Sequence, residues 1–194
     1  MRLVIPLILI LIFAAALWWQ QPDVPRTAVP EIKAAIADDF TLTNGQHSWS
    51  LASQRGRIVL LYFGYTACPD ICPTALMSIS QALKQMGPDE LKQVRGLFIS
   101  VDPERDSAQH VSAYAKYFHP NILGVTGSID ELHQVADMYG AFFQKKSMDS
   151  YTDYVMDHTA STYLIDQEGR LVEAFAHGAA PDQILTKVRH VLAN

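Results

Sequence analysis

Cysteine is scarce in this chain: Cys68 and Cys72 are the only two among 194 residues. Three residues separate them, so the two-residue spacing of a thioredoxin-type redox site is absent. No arginine stands near Cys68 in sequence, which argues against a thiol peroxidase, whose activated thiolate needs a polarising cation. Basic charge is also sparse. Lys and Arg total 15 against 20 Asp and Glu, no basic patch is visible, and nucleic acid is excluded as an expected partner. Beyond a proline-containing spacer near the N-terminus there is no internal repeat and no low-complexity tract.

What is present begins with Leu3 to Trp19, an unbroken run of 17 apolar residues preceded by Arg2 and followed by Gln20, Gln21 and Pro22. As a helix it would measure about 25 Å, at the short end for a bilayer span, and Trp18 and Trp19 suit the membrane interface. Ala14 to Ala16 would also suit a signal peptidase, but the tryptophans after them favour an uncleaved anchor. In either case the rest of the chain is expected outside the cytoplasm, and the uncleaved reading makes the protein single-pass in the inner membrane. Residues 1–22 are thus read as the anchor and 23–34, with Pro25 and Pro30, as an extended spacer. Residues 35–194 are enough for one domain with a hydrophobic core.

In that domain, Phe40 to Leu51 reads as a hairpin turning at Asn44-Gly45. Ile58-Val-Leu-Leu-Tyr-Phe-Gly64 has no polar break and reads as a central strand covered on both faces. Helix signals follow from Pro73, and the alternation continues with a strand at Gly96–Val101, a helix from Ser107 and a strand at Ile122–Val125. A capping box at Ser128–Glu131 starts a further helix, and a terminal hairpin and a helix from Pro181 complete the pattern. The order predicts an α/β, thioredoxin-like fold with an added N-terminal β-hairpin, a single domain with its chemistry at the carboxyl end of a central strand.

The cysteines fall at that position. If the chain between them were helical, residues four apart would share a face and both sulfurs would point into one volume. Such a pair suits metal chelation, thiol redox chemistry or a short structural disulfide, and in an oxidising compartment it stays reduced only if a metal or a reductant holds it so. A metal would need a third donor. Among seven histidines, His47, His110, His119, His133, His177 and His190 sit at turns, on helices or near ends, where a solvated or locally hydrogen-bonded side chain is the better reading. His158, after a polar loop and immediately before a core strand, is the candidate ligand. Two thiolates and an imidazole form a soft site suited to Cu(I) and, with an added oxygen donor, to Cu(II); zinc would tolerate the same set.

Three ordered segments carry a resemblance. Tyr62-Phe-Gly-Tyr-Thr-Ala-Cys-Pro-Asp-Ile-Cys-Pro73, Ser100-Val-Asp-Pro-Glu-Arg-Asp106, and Asp157-His158 before Tyr163-Leu-Ile-Asp166 resemble the signature segments of the Sco/SenC family. The resemblance runs from roughly Ile32 to the C-terminus. It implies a membrane-anchored, thioredoxin-fold copper chaperone that assists assembly of the dinuclear copper site of cytochrome c oxidase. Cys68, Cys72 and His158 would be the copper ligands. The implied partners are the copper-site subunit of the oxidase, a copper donor and a thiol reductant. Ala67 departs from the pattern, since many relatives carry histidine there, and a transfer role for that position is not carried over. The same two cysteines could instead act as a thiol-disulfide reductase that keeps the oxidase's copper-site cysteines reduced. For Asp102 to Asp106 a structural role, with Arg105 paired to Asp102 or Asp106, is the first reading and an outer carboxylate or docking surface the second. Asp70 is read as a helix-start residue, and Met148 and Met156 as packing residues beside the His158 loop.

Overall fold

Ile58–Gly64 forms the centre of the molecule because its seven residues offer nothing that must reach water, and all seven are buried. The computed structural model describes residues 39–148 and 154–193; the apolar segment and the spacer lie outside them. Among the described residues no helix is long and apolar enough to cross a membrane.

A short hairpin, β1 (Thr41–Thr43) and β2 (Ser48–Ser50), precedes β3 (Ile58–Gly64). Its turn is an Asx turn, with the Asn44 side chain accepting from the backbone N–H groups of Gln46 and His47. After β3 come α1 (Ile71–Lys84), the short α2 (Pro88–Lys92), β4 (Val94–Ser100), α3 (Ala108–Phe118), β5 (Ile122–Val125) and α4 (Ile129–Met138). A second hairpin, β6 (Phe143–Ser147) and β7 (Tyr154–His158), leads to β8 (Thr162–Ile165), β9 (Leu171–Phe175) and α5 (Pro181–Leu192). The main sheet has the order β5-β4-β3-β8-β9; β3, β4 and β5 run parallel, and β8 and β9 pair antiparallel. This is the thioredoxin-like α/β arrangement expected from the alternation of elements.

The ends of the elements follow from local chemistry. Ser107 caps α3 by accepting from His110 N–H, Ser128 and Glu131 form the reciprocal capping box of α4, and Pro181 opens α5. Both faces of β3 are covered. Phe63 meets Tyr139 and Tyr163 on one side, while Tyr62 and Gly64 face Cys72 on the other. Each large apolar side chain buried here contributes about 1.5–3 kcal/mol relative to exposure. Helix α3 lies so close on β5 that a Cβ on Gly124 would stand 2.2 Å from the Val111 carbonyl oxygen.

Two elements differ from the sequence expectation. The stretch through His158, expected as a polar loop entering a strand, is β7 of a separate two-stranded ribbon paired with β6. Helix α1 starts at Ile71 and not at Pro73. Its early start is compatible with Pro73, because the first turn of a helix needs no N–H from that position.

Candidate metal centre

The two cysteines converge by a route other than a shared helical face. Cys68 lies in the loop between β3 and α1, where its N–H bonds to the Tyr65 carbonyl, and only Cys72 is helical. Pro69 explains this, since a residue preceding proline is turned away from the helical region. The loop folds back and delivers the Cys68 sulfur to the start of α1, close to Cys72.

Strand β7 supplies the third candidate donor. Along Tyr154-Val-Met-Asp-His158 the burial alternates, with Tyr154, Met156 and His158 turned inward and Asp157 exposed. One donor atom from each of Cys68, Cys72 and His158 lies within 4.8 Å of the others, and all three residues are buried. His158 Nε2 is 3.4 Å from Cys72 Sγ, while its Nδ1 is 3.1 Å from the Thr159 carbonyl oxygen. A proton on Nδ1 donates to that carbonyl and leaves the Nε2 lone pair directed at the sulfurs, the orientation a metal-binding imidazole needs. The rings of Tyr62 and Tyr65 stand edge-on to the imidazole at 6.1 and 5.8 Å and confine it.

Space for the Cys72 sulfur depends on Gly64, where an added Cβ would come within 2.7 Å of it. The Tyr62 hydroxyl, buried without an oxygen or nitrogen partner, faces this sulfur. Burial and then the neighbouring sulfurs push the Tyr62 phenol up, so it remains a donor.

The two thiols are free and electrostatically unlike. The hydrogen bond from Cys72 holds the Cys68 thiol well below the ordinary range against the opposing effect of burial, helped by the N–H groups of Asp70 and Cys72. Cys72 is pushed up, first by that same hydrogen bond and then by burial. Cys68 also lines a shallow cavity of about 360 Å³ with Tyr65, Pro69, Ile71 and Met156, whereas Cys72 is fully enclosed. A thiolate-selective alkylating agent at mildly acidic pH is therefore expected to label Cys68 at least about tenfold faster than Cys72. Peptide mass mapping reads this directly, and equal labelling would contradict the asymmetry.

The other sequence candidates have structural partners. Asp102 pairs with Arg105, as the structural reading expected; Asp106 accepts from Thr66 and Ser100. Asp70 is the N-cap residue of α1 but makes no side-chain cap. Met156 is buried and Met148 exposed. His110 bonds Thr66 Oγ1, His119 accepts from Asn121 N–H, and His133 stacks on Phe143. Tertiary contact brings Arg105 to 5.5 Å from the Tyr65 ring, a cation that sequence proximity did not reveal. Its guanidinium is engaged by Asp102 and the Tyr154 carbonyl and so is not free to polarise a thiol substrate. Gly64, Tyr62 and Tyr65 were also not singled out from the sequence. The tyrosines and the glycine lie within the first motif, but a contact with a histidine some 90 residues away has no local signature.

The SCO1/SenC family model matches residues 29–193. The mitochondrial SCO2 homolog of Bos taurus is 37% identical over 160 residues, covering 77% of this chain and 60% of that protein. The mitochondrial SCO1 homolog of Homo sapiens is 35% identical, covering 80% of this chain and 52% of that protein. The chain thus spans about half to three fifths of the length of these relatives. Among solved structures, copper-bound ScoI of Bradyrhizobium japonicum is 37% identical with a TM-score of 0.72, covering 81% of this chain and 99% of that one. Copper-bound ScoI of Arabidopsis thaliana is 34% identical with a TM-score of 0.73, covering 82% and 100%. With the first and third motifs folded into one buried Cys-Cys-His cluster and the family match extending over the whole described domain, the chain belongs to the SCO1/SenC family.

Proposed function

We propose that this protein is a copper chaperone that holds one copper ion through Cys68, Cys72 and His158 and delivers it to the dinuclear copper site of cytochrome c oxidase during assembly of the respiratory complex. The observation that carries the reading is the convergence of two sulfurs and an imidazole nitrogen within 4.8 Å, with the imidazole held in the metal-binding tautomer. Soft donors in a low-coordinate set favour Cu(I). The copper-bound structures of two relatives support the choice of metal. In the same reading residues 1–22 anchor the chain in the inner membrane, 23–34 give reach, and the domain from residue 35 works on the extracytoplasmic side. There it would meet the oxidase's copper-site subunit, a copper donor and a thiol reductant.

A cargo site must open. Cys68, at the cavity wall, belongs to a loop, while Cys72 and His158 belong to a helix and a strand. Binding also moves protons. The shifts run in opposite directions, so Cys68 is the thiol that ionises first and Cys72 the one that must give up its proton on binding. About one proton is expected to leave per Cu(I) bound near neutral pH, and affinity should rise about tenfold per pH unit there. Calorimetry in buffers of different ionisation enthalpy measures this; release of two protons would mean that Cys68 is not pre-ionised.

The thiol asymmetry also suits a thiol-disulfide reductase. In that reading Cys68 thiolate attacks a substrate disulfide, and one substrate sulfur leaves as a thiol. Ionised Cys72 then attacks the mixed disulfide, leaving a reduced substrate and a Cys68–Cys72 disulfide that an external dithiol must reduce. The deciding experiment titrates the reduced, anaerobic protein with Cu(I) against a competing chelator, with Cys68→Ser and His158→Ala alongside. One tightly held copper that needs both residues supports the chaperone. Weak binding indifferent to His158, with a readily cycling disulfide, would transfer the assignment to the reductase.

A further inference from the structure

The segment Asp102 to Asp106 holds none of the three donors, yet it touches both sides of the cluster. We propose that Asp102 and Arg105 are positioning residues for His158: by latching Tyr154 they hold the β6–β7 ribbon over the cysteine loop and set how long copper is retained. The second half of this statement rests on the copper reading above.

The ribbon needs such a latch because no backbone ladder ties it to the main sheet. β6 and β7 pair only with each other, and a two-stranded ribbon by itself is marginal in water. At its base, Thr159 N–H donates to the Phe142 carbonyl and Phe142 N–H to Thr159 Oγ1. These bonds fix the two strands relative to each other. They leave open how the ribbon's inner face lies against the cysteines.

That face carries His158 at one end and Tyr154 at the other, about 13 Å apart along the strand. At the Tyr154 end the partners form a closed ring. The Tyr154 hydroxyl donates to Asp102 Oδ1 at 2.8 Å, Arg105 Nε donates to Asp102 Oδ2, and Arg105 Nη1 donates to the Tyr154 carbonyl at 3.1 Å. The guanidinium also lies 3.8 Å from the centre of the Tyr154 ring. Asp102 is 2% exposed, so its carboxylate depends on these partners, and losing one leaves a buried charge underpaired. Glu104 adds an ion pair with Lys145 of β6, but both are exposed and the pair contributes little.

The other end of the segment grips the cysteine loop. Asp106, also 2% exposed, accepts from Thr66 N–H at 2.9 Å and from the Thr66 hydroxyl, two residues before Cys68. One path that sets His158 relative to the thiols therefore runs through five consecutive residues just after β4, beside the direct contacts of the Tyr62 and Tyr65 rings with the imidazole.

The test compares the full chain with Arg105→Met, Arg105→Lys and Tyr154→Phe. Amide hydrogen exchange is read in the reduced copper-free protein, and Cu(I) release to a high-affinity chelator in the loaded one. In Arg105→Met, β7 amides are expected to exchange about tenfold faster with β3 and β4 unchanged, the size of one lost charge-assisted hydrogen bond. Cu(I) should leave about tenfold faster, and Cys68, which shares a cavity wall with Met156 of β7, should be alkylated faster. Tyr154→Phe, which keeps the ring and loses one bond, should show a smaller effect in the same direction. Arg105→Lys should fail to restore retention, because an ammonium cannot reproduce the planar fork that bonds Asp102 and the Tyr154 carbonyl together. Unchanged β7 exchange in Arg105→Met, or exchange rising equally through β3 and β4, would overturn the positioning role. If wild-type copper binding is indifferent to His158→Ala, it is the copper reading that has failed; faster β7 exchange in Arg105→Met then still supports the placement of the ribbon.

Discussion

Replacing Cys72 by Ser is expected to weaken Cu(I) binding by more than about 100-fold. Substitutions that merely disturb the orientation of a metal ligand typically cost 10–100-fold, and this one removes a soft donor outright. Cys72 is fully buried against Gly64 and Tyr62, with its Sγ 3.4 Å from His158 Nε2. Serine is slightly smaller than cysteine and its hydroxyl meets the Tyr62 hydroxyl, which makes a folded variant the expected product. His158→Ala should also exceed about 100-fold, but should leave the Cys68–Cys72 pair able to form and break a disulfide. Chelator competition and a thiol-disulfide exchange assay on the same preparations separate these effects. Retention of near-native Cu(I) affinity in Cys72→Ser would remove the two-thiolate site from consideration.

Gly64→Ala is expected to harm both stability and the metal centre. The new methyl would lie 2.7 Å from Cys72 Sγ, 2.9 Å from Phe98 Cε2 and 3.1 Å from Tyr62 Cε1, all in a packed interior. Overpacking of this kind costs about 1–3 kcal/mol, and each kcal/mol lowers Tm by about 2–4 °C in a chain of this size. The atom most closely approached is the sulfur of a candidate donor, so relief of the clash is expected to displace Cys72 Sγ from its place in the cluster. Copper affinity should fall by at least about tenfold beyond what the stability loss explains. Calorimetric melting of the reduced protein and a Cu(I) competition series give the two quantities. A variant with a lowered Tm and native copper affinity would show that the clash is relieved through Phe98 and Tyr62 alone.

Much of the scaffold was legible in the residues. An apolar seven-residue run, a serine three residues before a glutamate, and a proline opening the last helix act over a few residues, and β3, α4 and α5 appear where those signals stand. The cysteines were legible as a pair for the same reason. The β6–β7 ribbon was harder to see because β6, Phe-Gln-Lys-Lys-Ser, has one buried position and four exposed ones. Its partner Tyr-Val-Met-Asp-His alternates in burial but not in residue type, because Val155 faces outward and His158 inward, so the strand period was not visible in the sequence.

The sequence by itself determined the residue types of the site, the soft-donor chemistry they permit, the α/β order of elements and, through three ordered motifs, the family. Tertiary structure alone decided how the donors meet. Pro69 diverts the cysteine loop from helical geometry, Gly64 leaves room for one sulfur, the Thr159 carbonyl selects the His158 tautomer, and Asp102, Arg105 and Tyr154 join segments about 50 residues apart. Local propensity acts within a few residues, whereas a metal centre is built from contacts whose partners become neighbours only after the sheet has formed.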